Sequence, residues 1–144
     1  MMRGWAELAF ESGEFVALYG ASGGGKTTIL RLIAGFETPQ SGVIKVGDKI
    51  FFDEKTNLAP QKRNIGFLFQ NYALWPHMTV YKNIAFGLEN LKWPKSKIEE
   101  RVREVLTTLK IEEFKDRYPA ELSGGQQQRV AIARTLAPKP KVLF

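Results

Sequence analysis

The sequence predicts an α/β fold, and three observations carry that prediction. The apolar run Phe15-Val16-Ala17-Leu18-Tyr19 leads straight into Gly20-Ala21-Ser22-Gly23-Gly24-Gly25-Lys26-Thr27, which fits G-x-x-x-x-G-K-[ST] and is followed by the helix formers Thr28 to Ala34. Further short apolar runs, bounded by glycine and polar turns, recur at 43–52 and 65–69. From Asn71 the apolar spacing changes to the helical period. The expected architecture is a strand–loop–helix core with an antiparallel β segment, an inserted α-helical subdomain and an incomplete sheet.

Each element has its own local reason. Ala6-Glu7-Leu8-Ala9-Phe10 alternates and reads as an edge strand, and Glu11-Ser12-Gly13-Glu14 is a turn into the buried strand at 15–19. The helix after Lys26 stops at Gly35, which tolerates the left-handed conformation that ends helices. Val43-Ile44-Lys45-Val46 and Lys49-Ile50-Phe51-Phe52, joined by Gly47-Asp48, form a hairpin. Asn57 to Asn64 is polar and irregular, and Ile65-Gly66-Phe67-Leu68-Phe69 is a second buried strand that ends at Gln70. Val80 to Leu91 is a helix broken by Trp93-Pro94, and a strongly amphipathic helix begins at Ser96, with Ile98, Val102, Val105, Leu106 and Leu109 on one face. Val142-Leu143-Phe144 reads as a further apolar strand.

Two stretches carry chemistry. In the first, glycines let consecutive backbone N–H groups converge on phosphate oxygens, and the helix N-terminus adds its positive dipole end. Lys26 supplies a mobile positive charge, and the Thr27 hydroxyl is a candidate Mg²⁺ ligand. The second is Leu122-Ser123-Gly124-Gly125-Gln126-Gln127-Gln128-Arg129, where Ser123 and Gln126 form an S-x-x-Q capping box. The helix it opens runs through Leu136 and ends before Pro138 and Pro140. Two glycines in a first turn cost about 1 kcal/mol each relative to alanine. That cost is explained equally by an anion approaching the backbone and by a merely flexible capped turn. Two glycine-rich helix starts on one chain suggest a nucleotide held between two copies.

Composition limits the alternatives. Net charge is +6, but Lys and Arg are scattered and mixed with acids, with no run beyond Lys62-Arg63, which argues against a nucleic-acid stripe. Cysteine is absent, so there is no disulfide framework and no thiolate zinc site. No apolar run approaches the roughly 20 residues of a membrane span, and no signal-peptide core is visible.

The glycine loop, Gln70 at a strand end and Leu-Ser-Gly-Gly-Gln-Gln-Gln-Arg, in this order, resemble the ATP-binding-cassette (ABC) ATPases over nearly the whole chain. Pro60-Gln61-Lys62-Arg63-Asn64-Ile65-Gly66 and Gln70 to Val80 are similar to the importer branch that serves sugars, polyamines, ferric iron, sulfate or molybdate. The resemblance implies a P-loop NTPase (RecA-like) core over 1–70, a helical subdomain over 71–137 and the start of the Walker B strand over 138–144.

It also implies roles. Gly20, Ala21, Ser22, Gly23, Gly24, Gly25, Lys26, Thr27 and Thr28 would bind the phosphates of ATP. Thr27 and Gln70 would hold Mg²⁺, and Lys26 and Gln70 are the candidate catalytic residues. Ser123, Gly124, Gly125 and Gln126 would contact the γ-phosphate on the opposite subunit of a head-to-tail dimer. The surface of Gln70 to Trp75 would receive a coupling helix from an integral membrane permease, fed in turn by an extracytoplasmic solute-binding protein. The protein would sit in the cytoplasm on the inner face of the cell membrane, with no nucleic-acid partner.

Departures from the family pattern carry expectations too. Ala21 stands where proline is usual and Gly24 where serine is usual, and neither change removes the backbone cradle. The Walker B aspartate and the catalytic glutamate would fall just past Phe144, so this segment alone is expected to bind nucleotide weakly, hydrolyse it negligibly and expose a sheet edge. Trp5 is a poor substitute for the adenine-stacking aromatic, and His77 is expected to be structural. The competing readings are a soluble ABC protein of DNA repair or translation and a non-catalytic regulatory module.

Overall fold

The computed structural model describes residues 6–144. Among the described residues, four α-helices, three short 3₁₀ helices and two small sheets make up the regular structure. Helix α1 spans Lys26–Ala34, and strands β1 (Ile44–Val46) and β2 (Lys49–Phe52) form an antiparallel hairpin with a register shift at Ile44/Lys45. Strand β3 (Ile65–Gly66) follows, then helices α2 (Val80–Asn90), α3 (Lys95–Thr108) and α4 (Gly124–Leu136), and last strand β4 (Val142–Leu143). β3 and β4 are parallel, and their ladder continues beyond the named strands through Phe144 N to Gly66 O and Leu68 N to Phe144 O, both 2.8 Å. Parallel neighbours need a long crossover, and α2, α3 and α4 supply it.

The buried core lies in that crossover. α2 packs against both α3 and α4, and Val80, Ile84, Leu88, Ile98, Val102, Val105, Leu106 and Val130 all enter one cluster. The apolar face predicted for the helix at 96–109 is the face that α3 buries, with Leu109 partly buried beside it. Its N-terminus begins at Lys95 after Pro94, whose fixed φ suits a helix start. Thr79 caps α2 by accepting from Lys82 N, and the turn at 115–117 accepts the Val80 and Tyr81 amides, so the first turn of α2 is satisfied from outside. Lys92, Lys110 and Lys139 follow α2, α3 and α4 with φ of 57°, 56° and 54°, left-handed terminators where glycine is commoner.

Outside that core, the expectations of two strands fail. Ala6–Phe10 and Phe15–Tyr19 are not strands, and Phe15 and Tyr19 are fully exposed. A strand exists through ladder hydrogen bonds, and among the described residues no backbone group of 15–19 bonds to another segment. β3 pairs with β4 instead. The β3 run is shorter than expected, and the second sheet is held on one face by rings, with Phe67 lying 5.3 Å from Phe36 and 4.9 Å from Phe69. The polar stretch 57–64 is more ordered than its composition suggests: Pro60–Lys62 is a 3₁₀ turn, and Arg63 is 1% exposed.

The solvent face of α3 offers a first test. The Lys97 ammonium bonds Glu100 at 2.9 Å and Arg101 bonds Glu104 at 2.7 Å, each holding its carboxyl below the ordinary glutamate value of 4.5. A lowered folded pKa means stabilisation that is present above the unfolded value and lost as pH falls through the folded one. Both carboxyl titrations followed by NMR should therefore have midpoints below 4.5. A midpoint at or above it for Glu104 would show that the Arg101 pair does not form in solution.

Candidate functional site

The glycine loop is shaped by its glycines before any ligand is considered. Gly23 and Gly25 both have φ of 80°, the left-handed region that side chains disfavour, and Gly25 is the N-cap of α1. A Cβ on Gly24 would lie 3.0 Å from Ala21 O, the atom that accepts the Gly24 amide at 3.0 Å. The amides of Ser22, Gly23, Gly25, Lys26, Thr27 and Thr28 have no backbone acceptor among the described residues. Six donors in one tight turn, the last three at a helix N-terminus, are the kind of array that can receive an anion. The Lys26 ammonium spans the same loop, donating to Gly20 O at 2.8 Å and Ala21 O at 2.6 Å. Ser22, Thr27 and Thr28 are exposed, so their hydroxyls are open to a ligand.

The capping box of α4 is present in both directions. Ser123 Oγ accepts from Gln126 N at 3.2 Å, and Gln126 Oε1 accepts from Ser123 N at 2.9 Å. Gly124 and Gly125 face open space, since an added Cβ on either would meet nothing within 4 Å. Among the described residues nothing requires glycine there. Among the described residues no hydrogen bond joins 20–28 to Gln70 or to 123–126.

Gln70 is exposed in a turn closed by Tyr72 N to Phe69 O at 3.0 Å. The segment after it is divided. Leu74 packs on the three-helix core, while the Trp75 ring lies 4.7 Å from Phe86 and beneath the Arg134 guanidinium at 4.7 Å. Part of the predicted docking surface is therefore spent on internal packing. His77 is exposed in the next turn. Trp5 lies outside the described residues. Among the described residues, no three His, Cys, Asp or Glu side chains group as a metal cage, and no helix is long and apolar enough to cross a membrane.

Sequence reasoning missed three side chains that hold this region. Asn83, fully buried, exchanges hydrogen bonds with both backbone groups of Trp75 and donates to Met78 O and Thr79 O. Arg134 grips Tyr72 O and Ala73 O. Arg63 grips the end of α1. Only Asn83 left a signal, as a polar residue three positions from Val80 on the buried side of α2.

A glycine cradle opening one helix, a glutamine after a strand and a capped Ser-Gly-Gly-Gln helix start define the class. The chain belongs to the ABC transporter family, whose model matches residues 5–144. It is 53% identical over 138 residues to the spermidine/putrescine import ATP-binding protein PotA of Oleidesulfovibrio alaskensis, covering 96% of this chain and 36% of that protein. It is 55% identical over 138 residues to the sulfate/thiosulfate import ATP-binding protein CysA of Thermosynechococcus vestitus, covering 96% and 40%. A third relative, at 52% over 137 residues and covering 95% and 36%, is the putative 2-aminoethylphosphonate import ATP-binding protein PhnT of Salmonella paratyphi A. The chain thus spans well under half the length of these relatives. Among solved structures it matches the ATP-binding cassette MJ0796, a dimer in a post-hydrolysis state bound to ADP and Pi, with a TM-score of 0.79 at 34% identity, covering 94% of this chain and 61% of that one. The fold is accordingly that of the P-loop NTPases, in its ABC form.

Proposed function

We propose that this chain is the nucleotide-binding part of an ATPase that powers solute import through a separate membrane permease. The observation that carries the reading is the cradle at 20–28, with six backbone donors free of backbone acceptors and Lys26 folded across them. Such an array fits a nucleotide's phosphate chain, and Lys26 would exchange its two carbonyl partners for phosphate oxygens. Thr27 and Gln70 would hold Mg²⁺, which would supply positive charge to offset that of the phosphates. Most of the rate gain in such a site comes from positioning and electrostatics.

The geometry of the second half-site favours a head-to-tail dimer. The Ser123–Gln126 helix start is open and is not bonded to its own chain's cradle, so a second copy would bring it to the other face of the nucleotide. We assign 1–70 to the nucleotide core, 71–137 to the helical subdomain and 138–144 to the start of the Walker B strand. The surface near Gln70–Trp75 is the proposed seat of the permease's coupling helix, with a solute-binding protein further upstream in the import path. Attachment would then be peripheral, on the cytoplasmic face of the membrane. Relatives named for a polyamine, a sulfur oxyanion and a phosphonate lie within a few per cent of each other in identity to this chain, so solute choice resides outside it.

Equilibrium binding of Mg-ATP to the wild type and to Lys26→Ala tests the reading. The variant should bind at least about tenfold more weakly, since it loses a charge-assisted contact to phosphate. Equal affinity in the two proteins would reject the cradle as the phosphate site. Phosphate release from the full-length protein should fall in parallel.

A further inference from the structure

Tyr72 and Ala73 lie side by side in the left-handed region, with φ of 59° and 46°. Two consecutive residues with side chains stay there only where their surroundings hold them. The holder is Arg134. Its Nη1 donates to Ala73 O at 2.7 Å and its Nη2 to Tyr72 O at 2.9 Å, and its guanidinium lies over the Trp75 ring. Asn83 fixes the Trp75 main chain on the other side. The gripped residues also close the turn before them, through Tyr72 N to Phe69 O and Ala73 N to Asn71 O, and Gln70 is a central residue of that turn. The backbone of the turn that carries Gln70 is therefore held two residues downstream, by a cation on another element.

That element is α4, the helix whose first turn is Ser123–Gln126. Arg134 sits roughly 16 Å along the same axis at 1.5 Å per residue. A helix of this length moves as one body, and its buried face at Val130, Ala131 and Ala133 is packed in the core. We propose that Arg134 is a positioning residue that ties the Gln70 turn to α4, so that contact at the Ser123–Gln126 end and the aim of Gln70 change together. The inference rests on the nucleotide reading of those two motifs. A guanidinium suits this role better than an ammonium, because its planar fork serves two neighbouring carbonyls at once and a lysine ammonium is a single point charge.

Hydrogen exchange and steady-state kinetics of the full-length protein test this in Arg134→Met and Arg134→Lys. In Arg134→Met, exchange over 70–75 should accelerate by about tenfold or more, while α3 stays within about twofold of wild type. The kcat for Mg-ATP should fall by about tenfold or more with KM held within about threefold, because the cradle itself is untouched. Arg134→Lys should recover part of both effects. Unchanged exchange over 70–75 would overturn the proposal, as would acceleration spread equally across α3, and so would a raised KM with kcat intact. The exchange measurement needs no nucleotide. Failure of the phosphate reading would appear separately, as Lys26→Ala binding Mg-ATP like wild type.

Discussion

Replacing Arg63 with methionine is expected to lower unfolding free energy by about 3–5 kcal/mol, the range for removing a buried, multiply bonded charged group. The residue is 1% exposed, and its guanidinium serves four acceptors. Nη1 donates to Leu32 O at 2.9 Å and Ile33 O at 2.8 Å, Nε to Leu58 O at 2.8 Å and Nη2 to Asn57 Oδ1 at 3.1 Å. Leu32 and Ile33 are at the C-terminal end of α1, where unpaired carbonyls and the negative end of the helix dipole favour a cation. The guanidinium carbon also lies 5.7 Å from the Phe51 ring centre, joining the hairpin to the same knot. Gly35 completes it: at φ of 87°, it leaves room where a Cβ would sit 2.5 Å from Arg63 Nε. Methionine would fill most of the volume and leave Ile33 O and Leu58 O without their donor, while Leu32 O would keep only the Gly35 amide at 3.2 Å. Burial already lowers the Arg63 pKa from its ordinary value, yet the group remains charged at any working pH. Arg63→Lys should fall between the two. Equilibrium urea unfolding decides the matter, and a loss under about 1 kcal/mol would mean that the carbonyls find water instead.

Asn83→Asp should be nearly as costly, by about 3–4 kcal/mol at neutral pH, because the shape is kept while a donor becomes an acceptor. Asn83 Nδ2 donates to Trp75 O, Met78 O and Thr79 O at 3.1, 3.0 and 3.1 Å. A carboxylate in its place would face three carbonyl oxygens in a fully buried position. Its folded pKa would rise above the unfolded carboxylate value, so the penalty is present at high pH and shrinks as pH falls through that raised pKa. Stability relative to wild type should accordingly improve from pH 8 towards pH 5. A penalty that does not vary with pH, measured by the same urea titrations, would contradict the assigned amide orientation. Asn83→Leu should be costly without that pH dependence.

Both residues show what could be read from one dimension. The amphipathic face of α3, the hairpin at 44–52, the stop at Gly35 and the Ser123–Gln126 box each depend on neighbours within about four positions, and all were legible. The glycine loop was legible for the same reason, since its glycines and Lys26 lie within eight consecutive residues. The failures share the opposite property. Phe15–Tyr19 has a strand's composition, but strand formation needs a neighbour's backbone, and no described residue supplies one. Arg63 reaches carbonyls 30 and 31 residues away and Arg134 reaches carbonyls 61 and 62 away, so in sequence both look like ordinary solvated cations.

The sequence by itself determined the helices, the turns and the glycine loop at 20–28, because short-range periodicity and local backbone chemistry suffice for these. Tertiary structure alone decided which cations are buried, how the turn bearing Gln70 is aimed and which strands pair. Those outcomes are set by unsatisfied backbone carbonyls and amides, whose partners are found only once the chain has folded.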